Sequence, residues 1–487
     1  MTEGPDSPRI GVDEWVAQAE SRTLARWGPA AGLARRLDRV PLTVRALPFV
    51  ALVALIPELT SDQYLLRVTV DTLIYALLAI GLNVVVGFAG LLDLGYVAFY
   101  GVGAYSYALF SSDHYGIHWP AQASVPLIIL GTALLGLLLG STSRRLLGDY
   151  LAIVTLFFLQ AFQVIAVNGN AVSFLGFTGH TDLTGGPNGI PGLDPFRLFG
   201  LEIVSERGFV WLAAAAGVAV LVMLSLAVRS RTGRAWMALR EDPLAAELMG
   251  MPVNRLKLLA FAFGAGIAGL TGTIHASFAG AVFADDYDVP ILITVYAMLI
   301  LGGAGSLYGA VLGAVVVNVS LEVLRSTNHS RWLFLSIVLI TLVAKLRPWP
   351  KLVGVLGATV GLGYAVHAIV GAAWPPGTKG QAAGGDVIAR AVQSWVIHPS
   401  QAATEIGNYA FVGLILAVLG LTLLRGWWFV LALPPTIYLA AFVWENRLTA
   451  TLEEQAATRF LVLGALLIVL MAWRPQGLFG TARVEIA

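Results

Sequence analysis

The sequence predicts an all-α polytopic membrane protein of about fourteen transmembrane helices with both termini cytoplasmic. Three observations carry that expectation. Of 487 residues, 57% are hydrophobic and 12% charged, and the mean hydropathy is +0.78. A soluble domain carries about 25% charged residues, which its wet surface needs. Apolar windows recur along the chain, long enough to cross a hydrocarbon core of about 30 Å. Arg and Lys collect in alternate connections, as they do on the cytoplasmic side of membrane proteins. Disorder is excluded by the same composition. A net charge of +1 offers nucleic acid no bulk attraction. The absence of cysteine excludes disulfides, thiolate metal sites and cysteine nucleophiles.

In chain order, residues 1–44 lack the clean apolar core of a signal peptide. Trp15 to Val40 sets Arg against Trp, Leu and Val, which reads as an interfacial amphipathic helix on the cytoplasmic face. Apolar windows follow near 45–59, 67–87, 89–111, 121–140, 150–168, 208–228, 257–281, 289–302, 306–323 and 331–346. Four more lie near 352–373, 408–425, 427–445 and 459–474. Fourteen crossings place Arg9 to Arg45, Arg144 and Arg145, the 229–257 loop, Lys345 to Lys351, and Arg474 and Arg483 on one side. The Gly-, Asn- and Thr-rich segment 169–207 falls on the other.

Enzyme signatures are missing. There is no G-x-x-x-x-G-K-[ST] phosphate loop, and Lys257, Lys345, Lys351 and Lys379 stand outside any such context. The seven histidines are scattered, with no metal-ligand spacing. The chain is expected to bind no cofactor.

The largest internal basic loop is SRTGRAWMALREDPLAAELMGMPVNRLKL, residues 230–258. Asp242 followed by Pro243 is an N-cap with Pro at the first helical position. Gly250 then stands as a C-terminal stop, with Pro252 beyond it. A short helix is therefore expected from about Asp242 to Met249. It is too short to cross lipid. It reads either as a plain amphipathic connector or as an element that docks into a groove of another protein.

Leu244-Ala245-Ala246 with Gly250 beyond resembles the EAA loop of ABC importer permeases, with Leu in place of Glu. The run GRAWMALREDPLAAELMG (233–250) closely resembles the LivM-type permease of branched-chain amino acid ABC importers. So do GLNVVVGFAGLLDLGYVAFYGVGAYSYALF (81–110), GDYLAIVTL (148–156), LTGGPNGI (183–190), LGGAGSLYGAVLGA (301–314) and RPQGLFG (474–480). The stretches run in family order from about Val70 to Arg325 and again over 459–480. The resemblance implies a core of about ten helices over 45–346, an insertion of about four over 347–458, and a family-like last helix and C-terminus over 459–487. It implies ATPase coupling by Arg231, Gly233, Arg240, Glu241, Asp242, Ala245, Ala246 and Gly250. It also implies partners: a second, LivH-type permease, two ATPase subunits that carry ATP and Mg, and an extracytoplasmic solute-binding protein. The setting is the plasma (inner) membrane of a prokaryote.

Candidate path residues follow from what lipid tolerates. Irregular backbone survives at membrane depth only where protein or water covers it. Gly87, Gly90 and Gly103, and Gly302, Gly303 and Gly305, therefore mark either close helix packing or broken helices beside a path. Asn83, Asp93, Tyr96, Tyr100 and Tyr105 offer a zwitterion hydrogen-bonding groups, or serve as packing residues. GFAGLL (87–92) and GAGSL (303–307) echo each other weakly, as an inverted repeat would. Arg67 and Asp71 stand four apart and are expected to pair near the outer surface. Thr184, Gly185, Gly186 and Asn188 form a punctuated outer turn, read as the mouth that meets the binding protein or as a plug.

The sequence departs from the family in three places. The family's Glu and Arg after GDYLAIVTL are Gln160 and Gln163 here, so neither charge is left unpaired. Polar family positions become Ile291 and Leu292, beside the acidic FADDYD with Asp285, Asp286 and Asp288, which reads either as a contact for the binding protein or, the favoured reading, as solvated. Finally, RWLFLSIVLITLVAKLRP (331–348) and RFLVLGALLIVLMAWRP (459–475) both resemble the family's last span. A permease for urea or short amides, and an ion-coupled secondary transporter without an ATPase, are the competing readings.

Overall fold

The computed structural model describes residues 57–58, 60–142, 148–171, 182–325, 327–346, 349–380, 387–400, 403–424, 426–448 and short runs within 459–478. The amphipathic stretch 15–40 and the 45–59 window, apart from residues 57–58, lie outside the described residues. Among those residues, nine helices are long and apolar enough to cross a membrane.

The first half is built from α1 (Gln63–Leu82), α2 (Tyr96–Phe110), α3 (Ala121–Thr142), α4 (Gly148–Asn168) and α5 (Glu206–Arg229). Two short helices follow, α6 (Arg231–Glu241) and α7 (Pro243–Leu248), then α8 (Val253–Ala279), α9 (Val289–Gly302) and α10 (Leu307–Arg325). Starts and stops obey local chemistry. Asp62 Oδ1 accepts from the Tyr64 amide at 3.0 Å, and Ser205 Oγ from the Gly208 amide at 3.1 Å, filling orphan donors of α1 and α5. Gly280 ends α8 at a φ of +69°, a conformation that suits glycine.

Two sequence windows do not become full crossings. The 89–111 window is irregular over 89–95 and helical only from Tyr96, so α2 has 15 residues. The 289–302 window gives the 14-residue α9. At 1.5 Å per residue each is about 22 Å long, short of the roughly 20 residues a full span needs. Pairs of Gly-rich segments interrupt them, and the two interruptions meet.

The core lies around α1, α2 and α8. In the most apolar window of α1 with its π extension (Gln63–Phe88), 78% of residues are buried, and 67% in that of α8. Small residues let these helices touch backbone to backbone: a Cβ on Gly103 would lie 2.6 Å from Gly269 Cα. Gly103→Val should therefore cost about 3 kcal/mol, the upper range for overpacking. Thermal denaturation in detergent checks this, against Gly131→Val, which meets open space and should leave the midpoint unchanged.

The second half adds α11 (Thr327–Lys345), α12 (Trp349–Ala373), α13 (Val387–Trp395), α14 (Ala403–Leu423) and α15 (Trp427–Leu448). Only 6% of the apolar window of α14 is buried, so this layer is peripheral. Leu342 and Leu346 of the α11 end cluster with Leu352 and Val355 of α12, against Val430 and Leu433 of α15. Leu463 instead belongs to the main core, and Leu467 and Leu478 pack on it. The segment that resumes at residue 459 thus returns to the core.

A buried ion pair ties α11 to α15. Arg331 of α11 donates from Nε and Nη2 to Glu445 of α15 at 2.6 and 2.7 Å, with both side chains at most 5% exposed. Bidentate geometry of this kind is strong, and removing one partner strands a buried charge. Glu445→Ala should cost about 3–5 kcal/mol. Limited proteolysis should then cut the 375–400 segment faster while the α1–α10 core stays intact.

Candidate coupling and translocation site

The short helix α7 forms where the loop sequence places it. Asp242 Oδ1 accepts from the amides of Leu244 at 2.8 Å and Ala245 at 3.0 Å. Gly250 follows at a φ of +78°. Ala246 is turned inward, 3% exposed, whereas Leu244, Leu248 and Met249 are 67%, 80% and 79% exposed. The helix thus turns three large apolar side chains outward beside Glu241 and Glu247. The arm is rigid. Trp236 is fully buried and its indole Nε1 donates to Leu256 O at 2.9 Å, fixing α6 to α8. Gly233 sits against the Val228 backbone, where a side chain would not fit.

The first membrane break begins as α1 widens into a π-helix over Asn83–Phe88. π segments are rare and concentrate at functional positions. The chain then turns at Gly90, φ +70°, and runs irregularly to Gly95. The second break is the turn between α9 and α10, where Gly303 and Gly305 have φ of +105° and +87°. The two abut: a Cβ on Gly87 would lie 2.6 Å from the Gly305 amide nitrogen. Asn83 stitches them. Its Oδ1 accepts from the Gly305 amide at 2.8 Å and its Nδ2 donates to Ser306 O at 3.1 Å. Arg240, in the last turn of α6, donates from Nη1 to Gly87 O at 2.6 Å. Leu478, from the C-terminal motif, donates its amide to Leu301 O at 2.8 Å.

Deeper along the irregular stretch, Asp93 is fully buried. Its Oδ1 accepts from the Gly95 amide at 2.9 Å, and Tyr296 donates to its carbonyl at 2.6 Å. The neighbouring Leu94 amide donates to Thr155 Oγ1 at 2.8 Å. These bonds satisfy backbone that no helix covers, as membrane depth demands.

Toward the opposite end, Tyr100, Tyr105, Phe162, His275 and Tyr287 form an aromatic cluster. The Tyr100 and Tyr287 rings are 4.9 Å apart, and His275 Nδ1 lies 3.2 Å from the Tyr287 hydroxyl. A cleft of about 400 Å³ joins Tyr105, Phe158 and Phe162 to Tyr115, Leu183 and Thr184 of the connecting loops. In the loop itself Asp182 Oδ1 accepts from the Gly185 amide at 2.7 Å, Gly185 and Gly186 are left-handed, and Thr184 is buried. Asn188 is exposed in the Gly186–Asn188 turn. Ile190–Pro191 pairs with Ala281–Val282 at the exit of α8.

The family described as the permease component of the branched-chain amino acid transport system matches residues 64–346. The chain belongs to this family. It is 39% identical over 287 residues to the high-affinity branched-chain amino acid transport system permease protein LivM of Salmonella typhimurium, covering 54% of this chain and 64% of that protein. Against the LivM of Escherichia coli it is 38% identical over 300 residues, covering 55% and 66%. The LivH permease of Salmonella typhimurium is 27% identical over 273 residues, covering 53% and 83%. The match thus spans just under two thirds of the length of the LivM relatives. No solved structure matches.

In this family member the sequence-derived candidates separate into groups. Gly87, Gly90, Gly303 and Gly305 make the breaks. Gly103 and Gly302 serve helix crossing, since a Cβ on Gly302 would overlap the Gly309 carbonyl. Tyr96 is fully buried against Gly81, and packs inside the subunit. Tyr100 and Tyr105 join the aromatic cluster. Gln160 is exposed on α4, whereas Gln163 donates to Ala284 O and Tyr287 O at 3.1 and 2.7 Å, so the two do not act as a pair. Ala245 and Glu241 are exposed near α7, as is Arg231 at the start of α6. Arg67 and Asp71 do not come within ion-pair distance; Arg67 lies over the Phe278 ring, 5.8 Å from its centroid. The acidic run is not simply solvated. Asp288 Oδ1 caps α9 at 2.6 Å, and Asp286 is half-buried, its carboxyl pushed up by burial and by Asp285. Sequence reasoning missed Tyr296 and His275, which stand singly within apolar helices, and Tyr287, which lies inside the acidic run between Asp286 and Asp288. It also missed His114 and Tyr115, which hold the outer loop at Asp182 O (3.0 Å) and Leu183 O (2.6 Å).

Proposed function

We propose that this chain is the membrane-spanning subunit of an ATP-driven ABC importer for branched-chain amino acids. It works by alternating access at an interface with a second, LivH-type permease. The observation that carries the reading is α7: a capped helix, held rigidly through Trp236, that turns Leu244, Leu248 and Met249 outward beside an arginine reaching a membrane break. Two separate ATPase chains, binding ATP and Mg, grip the α6–α7 arm. A solute-binding protein delivers cargo at the Asp182–Pro191 loop. The chain itself is no catalyst and binds no cofactor. It sits in the plasma (inner) membrane of a prokaryote, its basic end and both termini cytoplasmic.

The added layer reads as α12 to α15, beyond the family match that ends at residue 346, with the segment from residue 459 as a family-like last helix. Support for the latter is the packing of Leu463 on the main core.

Uptake of labelled leucine, isoleucine, valine and urea, in cells with and without the gene, tests the cargo. Loss of the branched-chain amino acids alone is expected. Loss of urea alone would keep the machine and overturn the cargo.

A further inference from the structure

We propose that Arg240 is the positioning residue that couples the α6–α7 arm to both membrane breaks. It would act as the movable C-terminal cap of the broken α1. This rests on the importer reading and deepens it.

A helix that ends inside a bilayer leaves its last C=O groups without partners and with partial negative charge. Water is not available to them there. α1 ends in this way at its π turn, and the group that meets the Gly87 carbonyl comes from another element: Arg240 Nη1, at 2.6 Å. The side chain gets there because glycines leave room. A Cβ on Gly90 would lie 2.9 Å from Arg240 Cγ, and one on Gly305 would lie 3.4 Å from Arg240 Cζ and closer still to Nη1. So one side chain lies against both breaks. Asn83 already locks the two breaks to each other through Gly305 and Ser306. Arg240 stands two residues before Asp242, the cap of α7. A displacement of α7 is therefore passed through a rigid arm to one guanidinium, and from it to two turns whose positive φ values leave them without helical constraint. Resemblance alone placed Arg240 among the ATPase-facing residues. The geometry turns it toward the membrane.

The test uses the complete importer in vesicles, with the partner permease, both ATPases and the binding protein. In Arg240→Ala, ATP hydrolysis should stay within about twofold of the unmodified complex. Solute moved per ATP should fall at least tenfold, and Arg240→Lys, a single donor without the fork, should recover part of it. An unchanged ratio of uptake to hydrolysis overturns the proposal, whether both rates hold or both fall together. In the latter case Arg240 serves the ATPase contact or the fold.

The chain has no cysteine, so a single label reports cleanly. With Ala304→Cys in the second break, the labelling rate by a water-soluble thiol reagent should respond to ATP binding. Adding Arg240→Ala should remove that response; a persisting response overturns the proposal. If Arg240→Ala fails to assemble, Arg240→Met takes its place, because it keeps the bulk of the side chain and removes its donors. The same loss of coupling is expected, and normal coupling overturns the proposal. An unmodified complex without ATP-driven uptake would instead refute the importer reading, so the two failures are distinguishable.

Discussion

Leu244→Asp combined with Leu248→Asp is expected to abolish uptake and ATPase association while the chain still inserts in the membrane. The two side chains are 67% and 80% exposed and make no core contact, so their loss does not disturb the fold. Burying a leucine side chain at an interface contributes about 1.5–3 kcal/mol. Placing a carboxylate there adds the penalty of an unpaired buried charge. Together these are enough to turn a stable docking contact into an undetectable one. Ala246 behaves differently. It is 3% exposed and faces its own chain, so a bulky replacement would push α7 off α8 and lower stability as well as uptake. Pull-down of the ATPases with membrane-extracted chain separates the cases. A double variant that retained its ATPases and its uptake would contradict the docking role of α7.

The second large effect is expected at Asn83. Asn83→Leu leaves the Gly305 amide and the Ser306 carbonyl without the partners that join the two breaks. Orphaning two such groups costs about 2–3 kcal/mol, which corresponds to a roughly 30–160-fold loss of uptake if the breaks must act together. Asn318→Leu is the matched control. It removes one hydrogen bond, to Thr72 Oγ1 at 2.7 Å, between α10 and α1 away from the breaks. Its expected effect is below about fivefold, the equivalent of one ordinary bond of about 1 kcal/mol. Equal losses from the two changes would mean that the junction of the breaks has no special part in transport.

What the sequence made legible was whatever is encoded locally. The α7 cap and stop were read at the right residues because Asp242, Pro243 and Gly250 each enforce their own backbone geometry. The breaks were legible as Gly clusters, and the echo between 87–92 and 303–307 pointed at two segments that do meet. Long-range partnership was not legible. Nothing in the spacing of Asn83 says that its amide bridges residues 305 and 306. Nothing at Arg240 distinguishes an arginine facing an ATPase from one capping a helix within its own chain. Hydropathy also overcounted helix inside 89–111, because Leu91, Leu92 and Leu94 are as apolar in an irregular stretch as in a helix. Arg67 and Asp71 show the converse: correct spacing for a pair, overridden by the Phe278 ring beside Arg67. The two candidate last spans could not be ranked by composition, because each is an equally apolar run closed by Arg-Pro.

The most direct test of the central claim is uptake by vesicles containing this chain with its partner permease and ATPases, driven in turn by internal ATP and by an ion gradient. Accumulation of leucine-type solutes is expected to require hydrolysable ATP and the binding protein, and to survive collapse of the gradient. Accumulation that follows the gradient and ignores ATP would contradict the claim.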